Sequence, residues 1–386
     1  MSTSSNLVVE KFYEQYKSAA RLFYSPGRIN LIGEHIDYNA GFVLPAAIDK
    51  GIWYAVAPNG TNSARFYSVD LDEHLEISLD NIHPIDGWQN YVLGVIDQAQ
   101  QRGLIIKGFD CAFGGNIPIG SGLSSSAAVE CGLLTALNEV FSLGLDRKTI
   151  ALMGQKAEHT FPKVMCGIMD QYANMMGKMN HVILLDCLTI EHRYLPLSLE
   201  EYSIILINTK VHHSLASGEY NVRRQQCEQG LKTLQSFYPD AKTFRDITPE
   251  QVQEHESDLG GDIFKRCLYV TQEIARTQKA ALLCEANNLE GLGKLMYETH
   301  EGLSKLYDVS CPELDFLVEQ ARKYPEIIGS RVMGGGFGGC TINLIRKEHW
   351  NTIVETITTE YKSTFDIDAE VYEVATSDGT YEAIGG

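Results

Sequence analysis

The apolar positions along the chain change period several times, and each change predicts an element. Residues 52–57 form a short run rich in β-branched and aromatic side chains, the length of one strand. Across 88–100 the apolar residues Tyr91, Val92, Val95, Ile96 and Ala99 recur at helical spacing. Ala127, Cys131, Leu134 and Leu137 do the same and predict a helix running through Phe141, while 182–186 reads as strand. From about Tyr220 to Lys323 the pattern is mostly helical, with Cys227, Leu231 and Leu234 on one stripe. Strand signals return at 340–345 and 370–375. Strands and helices in unequal blocks predict an α+β fold rather than a regular βαβ array. The 386 residues suit two or three domains, with a boundary near 195–210 that divides the chain into 1–200 and 201–386.

Charge narrows the function classes. Lys and Arg number 32 against 50 Asp and Glu, a net charge of −18, with 44% hydrophobic residues. Such a chain builds real cores but offers no basic surface for nucleic acid or for an acidic membrane. A phosphorylated small ligand stays open, because clustered backbone N–H groups or a metal ion overrule the global field locally. Nine cysteines, scattered and without a C-x-x-C pair, point to reduced thiols rather than a zinc site or disulfide framework. The N-terminal residues carry no signal-peptide pattern, and no apolar run approaches the ~20 residues of a membrane span, so a soluble, cytoplasmic protein is expected. Asn59-Gly60-Thr61 reads as a turn.

Three glycine-bearing segments hold the candidate chemistry. Residues 114–128, Gly-Gly-Asn-Ile-Pro-Ile-Gly-Ser-Gly-Leu-Ser-Ser-Ser-Ala-Ala, place a loop ahead of the predicted helix, with the Ser run where an N-cap belongs. A glycine loop entering a helix gathers free N–H groups and the positive end of the helix dipole, which suits a phosphate chain; a helix start needing Gly and Ser only for its own cap would look the same. Other phosphate and nucleophile motifs fail: no Lys follows Gly122, and Ser126 stands where G-x-S-x-G requires glycine. The second segment, residues 333–340, has five glycines in six residues and runs into a strand; it serves as a tight turn or as a close backbone approach to a ligand. The third, residues 25–39, concentrates Arg28, Glu34, His35 and Asp37 behind a Pro-Gly turn, a set that suits a polyhydroxylated ligand, or a surface ion-pair network.

With these segments in order, the sequence resembles the galactokinases of the GHMP small-molecule kinases, which also include homoserine, mevalonate and phosphomevalonate kinases. Pro118 through Ala127 carry the superfamily loop, Gly27-Arg28-Ile29-Asn30-Leu31-Ile32-Gly33-Glu34-His35-Ile36-Asp37-Tyr38-Asn39 the galactokinase signature, and Cys166-Gly167-Ile168-Met169-Asp170-Gln171 a further block. The resemblance implies a two-domain GHMP fold, with a ribosomal-protein-S5-like N-terminal domain, a ferredoxin-like C-terminal domain and the site between them. It implies galactose against Glu34, His35, Ile36, Asp37, Gly167, Asp170 and Tyr220, and ATP along Gly120, Ser121, Gly122, Leu123, Ser124, Ser125 and Ser126. Ser68 and Trp88 would border the adenine, and Ser126 and Glu158 would hold Mg2+.

The activity so implied is transfer of the ATP γ-phosphoryl group to the galactose O1 hydroxyl, by a monomer without nucleic-acid or membrane partners. Asp170 and Arg28 are the implied catalytic residues: Asp170 takes the O1 proton and Arg28 stabilises the charge developing beside it. A guanidinium next to a carboxylate favours its charged form and so weakens it as a base, which leaves a second version in which Arg28 stabilises the alkoxide and Asp170 orients. Ile36 stands where galactokinases usually have Thr and N-acetylgalactosamine kinases often have Ile, whereas Asn39 favours plain galactose. N-acetylgalactosamine kinase is therefore the nearest alternative. A non-catalytic sugar sensor is disfavoured because Ser125, Ser126 and Ala127 are all present.

Overall fold

Alternation along two central strands explains how the layers stack. In the strand Pro45–Pro58, Ile52, Tyr54 and Val56 enter the main core, which includes the helix Ser125–Phe141, while Ala55 and Ala57 face Val8 and Phe12 of the helix Ser5–Tyr16. Small residues on one face and large ones on the other let a thin helix lie close on one side and a thick helical layer on the other. The computed structural model describes residues 4–118, 120–212 and 216–383, so Ile119 of the first glycine loop lies outside the described residues. The first sheet has six strands in the order Tyr381–Ala383, Arg21–Asn30, Pro45–Pro58, Phe109–Gly115, Ser63–Ser68, Glu73–Ser78. It is antiparallel except where Ser63–Ser68 runs parallel to Phe109–Gly115.

A second, four-stranded antiparallel sheet has the order Ile327–Val332, Gly338–Arg346, Tyr202–His212, Glu370–Val374. Its central strand alternates as well. Ile204 and Leu206 pack with Leu292, Leu295 and Met296 of the helix Leu289–Gly302, whereas Ile205 and Ile207 pack with Ile353 and Ile357 of the helix Trp350–Phe365. A small sheet of Phe42–Val43, His181–Asp186 and Glu191–Pro196 completes the strands. The mixed α+β class expected above is what the chain adopts.

Element by element, the periodicity held. The helix predicted over 88–100 is Gln89–Gln101, with Trp88 at its N-cap, and the strand at 52–57 is the middle of Pro45–Pro58. The strand predicted at 340–345 begins earlier, at Gly338, which at φ +130° still pairs with the neighbouring strand, while Gly339 at φ +77° forms a bulge before Cys340. All nine cysteines are free, and Cys340 beside the glycine run is buried. Among the described residues, no helix is long and apolar enough to cross a membrane.

The two halves are joined more tightly than a linker would join them. The last strand, Tyr381–Ala383, returns to pair with Arg21–Asn30, and one core contains both Tyr54 and Leu134 from the first half and Cys227, Phe244 and Tyr307 from the second. Arg331, fully buried on the strand Ile327–Val332, crosses to the segment after Arg21–Asn30. It donates from Nε to Leu31 O at 2.9 Å, from both Nη atoms to Glu34 Oε1 at 3.1 Å, from Nη1 to Val332 O, and from Nη2 to Asn30 O. Glu34, also buried, takes two further hydrogen bonds, from Gly334 N at 2.9 Å and Asn30 Nδ2 at 3.1 Å. Removing one partner of such a pair leaves a buried charge unpaired. Arg331→Met is expected to destabilise the protein by about 3–5 kcal/mol, with Arg331→Lys recovering only part, because one ammonium cannot serve four oxygens. The urea midpoint at constant m-value measures this.

Candidate active site

A cavity of about 130 Å3 lies where the first sheet, the second sheet and three helices meet. Arg28, Glu34, His35, Asp37, Glu158, Gly167, Asp170 and Tyr220 all line it, with Val164, Cys166, Met169, Gly334 and Gly335. The strand Arg21–Asn30 supplies Arg28 just past an irregularity in its pairing, and the helix Met169–Met176 supplies Asp170 in its first turn. A carboxylate there also complements the helix dipole. Arg28 Nε and Nη2 donate to the two Asp170 oxygens at 2.7 and 2.6 Å, a bidentate fork. The Arg28 side chain is 5% exposed and that of Asp170 24%, so the carboxylate is the member that opens on the cavity. Burial works against the Arg28 charge, but Asp170, with Glu34 and Asp37, outweighs it and raises the guanidinium further above its ordinary value.

His35 sits at φ +59° and is hydrogen-bonded at both nitrogens. Burial pushes its pKa down to about 4, so the ring is neutral at physiological pH. Gly335 O, 3.1 Å from Nε2, can only accept; the proton is therefore on Nε2, and Nδ1 accepts from the Tyr38 hydroxyl at 2.8 Å. Tyr38 in turn accepts from Tyr307 at 2.9 Å, so one carbonyl sets the direction of the whole chain. Tyr220 closes the aromatic nest, with its ring centroid 5.2 Å from that of His35. Beside it, Gly167 has no room for a side chain: a Cβ would fall 2.0 Å from Asp37 Oδ2.

The glycine loops lie back to back. A Cβ at Gly334 would come within 3.1 Å of Gly122 O, and one at Gly339 within 3.4 Å of Gly120 O. Arg28 N donates to Leu123 O at 3.1 Å, which ties the first loop to the sugar-signature strand. The Ser run does not cap the helix. Ser124, the N-cap residue, is left-handed at φ +61° and ψ +56°, makes no capping hydrogen bond, and its buried Oγ has no partner. The first-turn N–H groups are thus left without a side-chain cap, so the reading of the Ser run as a cap does not hold.

Ser126 hydrogen-bonds Glu158, whose pKa is pushed up to about 7 by burial and by the Asp170 charge. The other groups on Glu158 are Gln171 Nε2 at 2.8 Å and Cys166 Sγ at 3.5 Å, both neutral. A buried carboxylate with neutral donors and an adjacent hydroxyl fits a hard divalent cation. Ile36, Ser68 and Trp88 do not line the cavity. The Ile36 side chain is in the main core and its carbonyl accepts from Gly41 N at 2.7 Å; Ser68 is buried at a strand end; Trp88 Nε1 donates to Glu73 at 2.6 Å. Arg331, Cys166 and Gln171 were not read as site residues, since no local pattern marks partners that lie 8 to 297 positions away. A larger open groove of about 830 Å3, bordered by Asp49, His181, Tyr202, Lys347 and Glu373, gathers none of the cavity residues named above.

Comparison with known proteins agrees with this geometry. Residues 10–58 match the galactokinase galactose-binding signature, 90–178 the GHMP kinases N terminal domain and 280–363 the GHMP kinases C terminal domain. The chain is 40% identical to a galactokinase of Thermotoga petrophila over 92% of its length and 98% of the relative's. A Clostridium acetobutylicum galactokinase is 39% identical over 97% of this chain and 98% of its own. The chain belongs to the galactokinase family. The crystal structure of a Lactococcus lactis galactokinase complexed with galactose superposes on this family member with a TM-score of 0.95 and 33% identity, covering 99% of this chain and all of that one. A Methanococcus jannaschii mevalonate kinase shares the fold at a TM-score of 0.68 and 18% identity.

In this galactokinase-family site, burial and the Asp170 charge push Asp37 up from 3.8 to about 7. Between those values the folded protein holds a proton that the unfolded chain has released, so folding loses stability as pH rises through the window. Asp37→Asn cannot ionise. It is expected to stabilise the ligand-free protein by about 2 kcal/mol at pH 8, less than the full shift because hydrogen-bond acceptors are lost, and to give no advantage near pH 4. Thermal melts across pH 4–8 check the sign and the window.

Proposed function

We propose that the cavity holds galactose with O1 at Asp170, and that the chain transfers the γ-phosphoryl group of ATP to that hydroxyl, giving galactose 1-phosphate and ADP. The observation that carries this is the buried Arg28–Asp170 fork, which opens on a polar cavity beside an uncapped helix N-terminus. Phosphoryl transfer asks mostly for positioning and charge neutralisation, and these are what the residues offer. Glu34 and Asp37 bring carboxyl oxygens to the sugar hydroxyls beside the His35 ring, and the small cavity suits one monosaccharide. Asp170 keeps lone pairs beyond those engaged by Arg28, so it can accept the O1 proton as the bond to phosphorus forms. Arg28, permanently charged and immobilised, stabilises the charge that develops at the same place. The N–H groups of the first turn after Ser124 cradle the phosphates, with the adenine toward Ser68 and Trp88. Magnesium brought in with ATP and held by Ser126 and Glu158 would neutralise phosphoryl oxygens as a Lewis acid.

The reading includes a functional division near residue 200, a monomer and a cytoplasmic setting, the last supported by nine free thiols. N-acetylgalactosamine is the competing sugar, because Ile36 replaces the usual Thr; its side chain, however, points into the core rather than the cavity. ATP consumption with galactose, N-acetylgalactosamine, arabinose, glucose and homoserine separates these substrates, with galactose expected to dominate. Asp170→Asn is expected to lower kcat by roughly 10²–10⁴-fold while ATP binding survives. Substantial turnover in that variant would rule out Asp170 as the base and leave Arg28 as the group acting on the alkoxide.

A further inference from the structure

Behind Glu158 lies a second buried pair that the mechanism above does not use. Glu130 is fully buried on the helix Ser125–Phe141, four residues after Ser126 and so on the same face. Gln171, also fully buried, follows Asp170 on the helix Met169–Met176. Its Nε2 donates to Glu130 Oε2 at 3.0 Å and to Glu158 Oε2 at 2.8 Å, so both N–H bonds of one carboxamide are committed to two carboxyl groups. The remaining oxygens of the pair, Glu130 Oε1 and Gln171 Oε1, are buried and have no partner. Two lone acceptors on groups already joined by one hydrogen bond share a single remedy. A proton on Glu130 Oε1, donated to Gln171 Oε1, closes a carboxylic acid–carboxamide ring and satisfies both. Burial and the neighbouring Glu158 raise Glu130 well above the usual carboxylate range, in the same direction.

Packing keeps the pair in place. A Cβ at Gly154 would come within 3.2 Å of Gln171 Cγ and 3.5 Å of Glu130 Cβ, and Gly154 lies one turn before Glu158 on the helix Arg147–Thr160. The helix that carries Glu158 therefore gives up a side chain where the pair has to fit.

We propose that Glu130 and Gln171 are positioning residues for the nucleotide's magnesium: Glu130 fixes the Gln171 carboxamide, and the second N–H of that carboxamide holds the Glu158 carboxylate in the orientation that binds the ion. The inference rests on the reading that Glu158 and Ser126 hold the metal. It goes further by making Glu158 useful only while a neutral partner locks its rotamer, as second-layer hydrogen bonds do at metal sites generally.

The test is Mn2+ binding to the protein with ATP and without sugar, followed by the electron paramagnetic resonance signal of free Mn2+, with galactose KM measured in parallel. Gln171→Met, close to isosteric, is expected to weaken Mn2+ binding by roughly ten- to a hundredfold and to leave galactose KM near its starting value. Glu130→Leu is expected to do the same, and Glu130→Gln, which can rebuild the paired ring without a charge, to recover most of the loss. If Glu130→Leu does not fold, Gln171→Met and Glu130→Gln decide between them. Unchanged Mn2+ affinity in Gln171→Met, or Glu130→Gln as damaging as Gln171→Met, overturns the inference. Unchanged affinity in Glu158→Gln overturns instead the metal reading on which it stands.

Discussion

A guanidinium with no exposed surface holds the two halves of this molecule in register. Arg331 belongs to the second sheet, yet its donors serve Leu31, Asn30 and Glu34 of the sugar signature. Glu34 passes the constraint on by accepting from Gly334 N, which fixes the start of the glycine turn. From there the turn lies against Gly122, and Gly335 O determines the tautomer of His35. Neither desolvated charge is tolerable without the other, so the halves cannot separate without leaving one of them unpaired. The cavity inherits its shape from that requirement.

Electrostatically the site carries an excess of acid. Among Glu34, Asp37, Glu130, Glu158 and Asp170, Asp170 and Glu34 are paired with buried cations, Arg28 and Arg331. Each cation is committed to one carboxylate, and the remaining acids rise toward neutrality or accept from neutral donors. A chain with a net charge of −18 thus concentrates the same sign where a polyanion is to react. The answer lies in backbone rather than in basic side chains. Ser124 adopts a left-handed conformation that forgoes its own cap and leaves the helix N-terminus to a ligand. The strain at that residue is local, and the surrounding loops, packed glycine against glycine, hold it there.

Local pattern predicted well wherever one face of an element meets one layer. The helices 89–101 and 125–141 and the strands at 45–58 and 181–186 follow directly from the spacing of apolar residues. Ser124 left cap and phosphate readings both open, because the two chemistries use the same side chains, and its φ and ψ remove the cap. Ile36 was included with the sugar residues by motif, but the turn that follows the strand Arg21–Asn30 places its side chain in the core. Glu130 gave no signal, being a lone acid on an apolar helix, and Gln171 entered only as the last residue of the block that holds Asp170. What gives them meaning is a pair of hydrogen bonds between residues 41 and 13 positions apart.

By itself the sequence determined the element types, the α+β class, the glycine-rich loop ahead of a helix and the family signature, because each rests on short-range spacing or on residues adjacent in the chain. Tertiary structure alone decided which charges meet. The Arg28–Asp170 fork spans 142 positions and the Arg331–Glu34 pair 297, and the final strand closes back on the first sheet. Such pairings depend on how whole layers stack, and burial then amplifies them: the same carboxylates that would be ordinary in water become neutral, paired or poised for a cation once water is excluded.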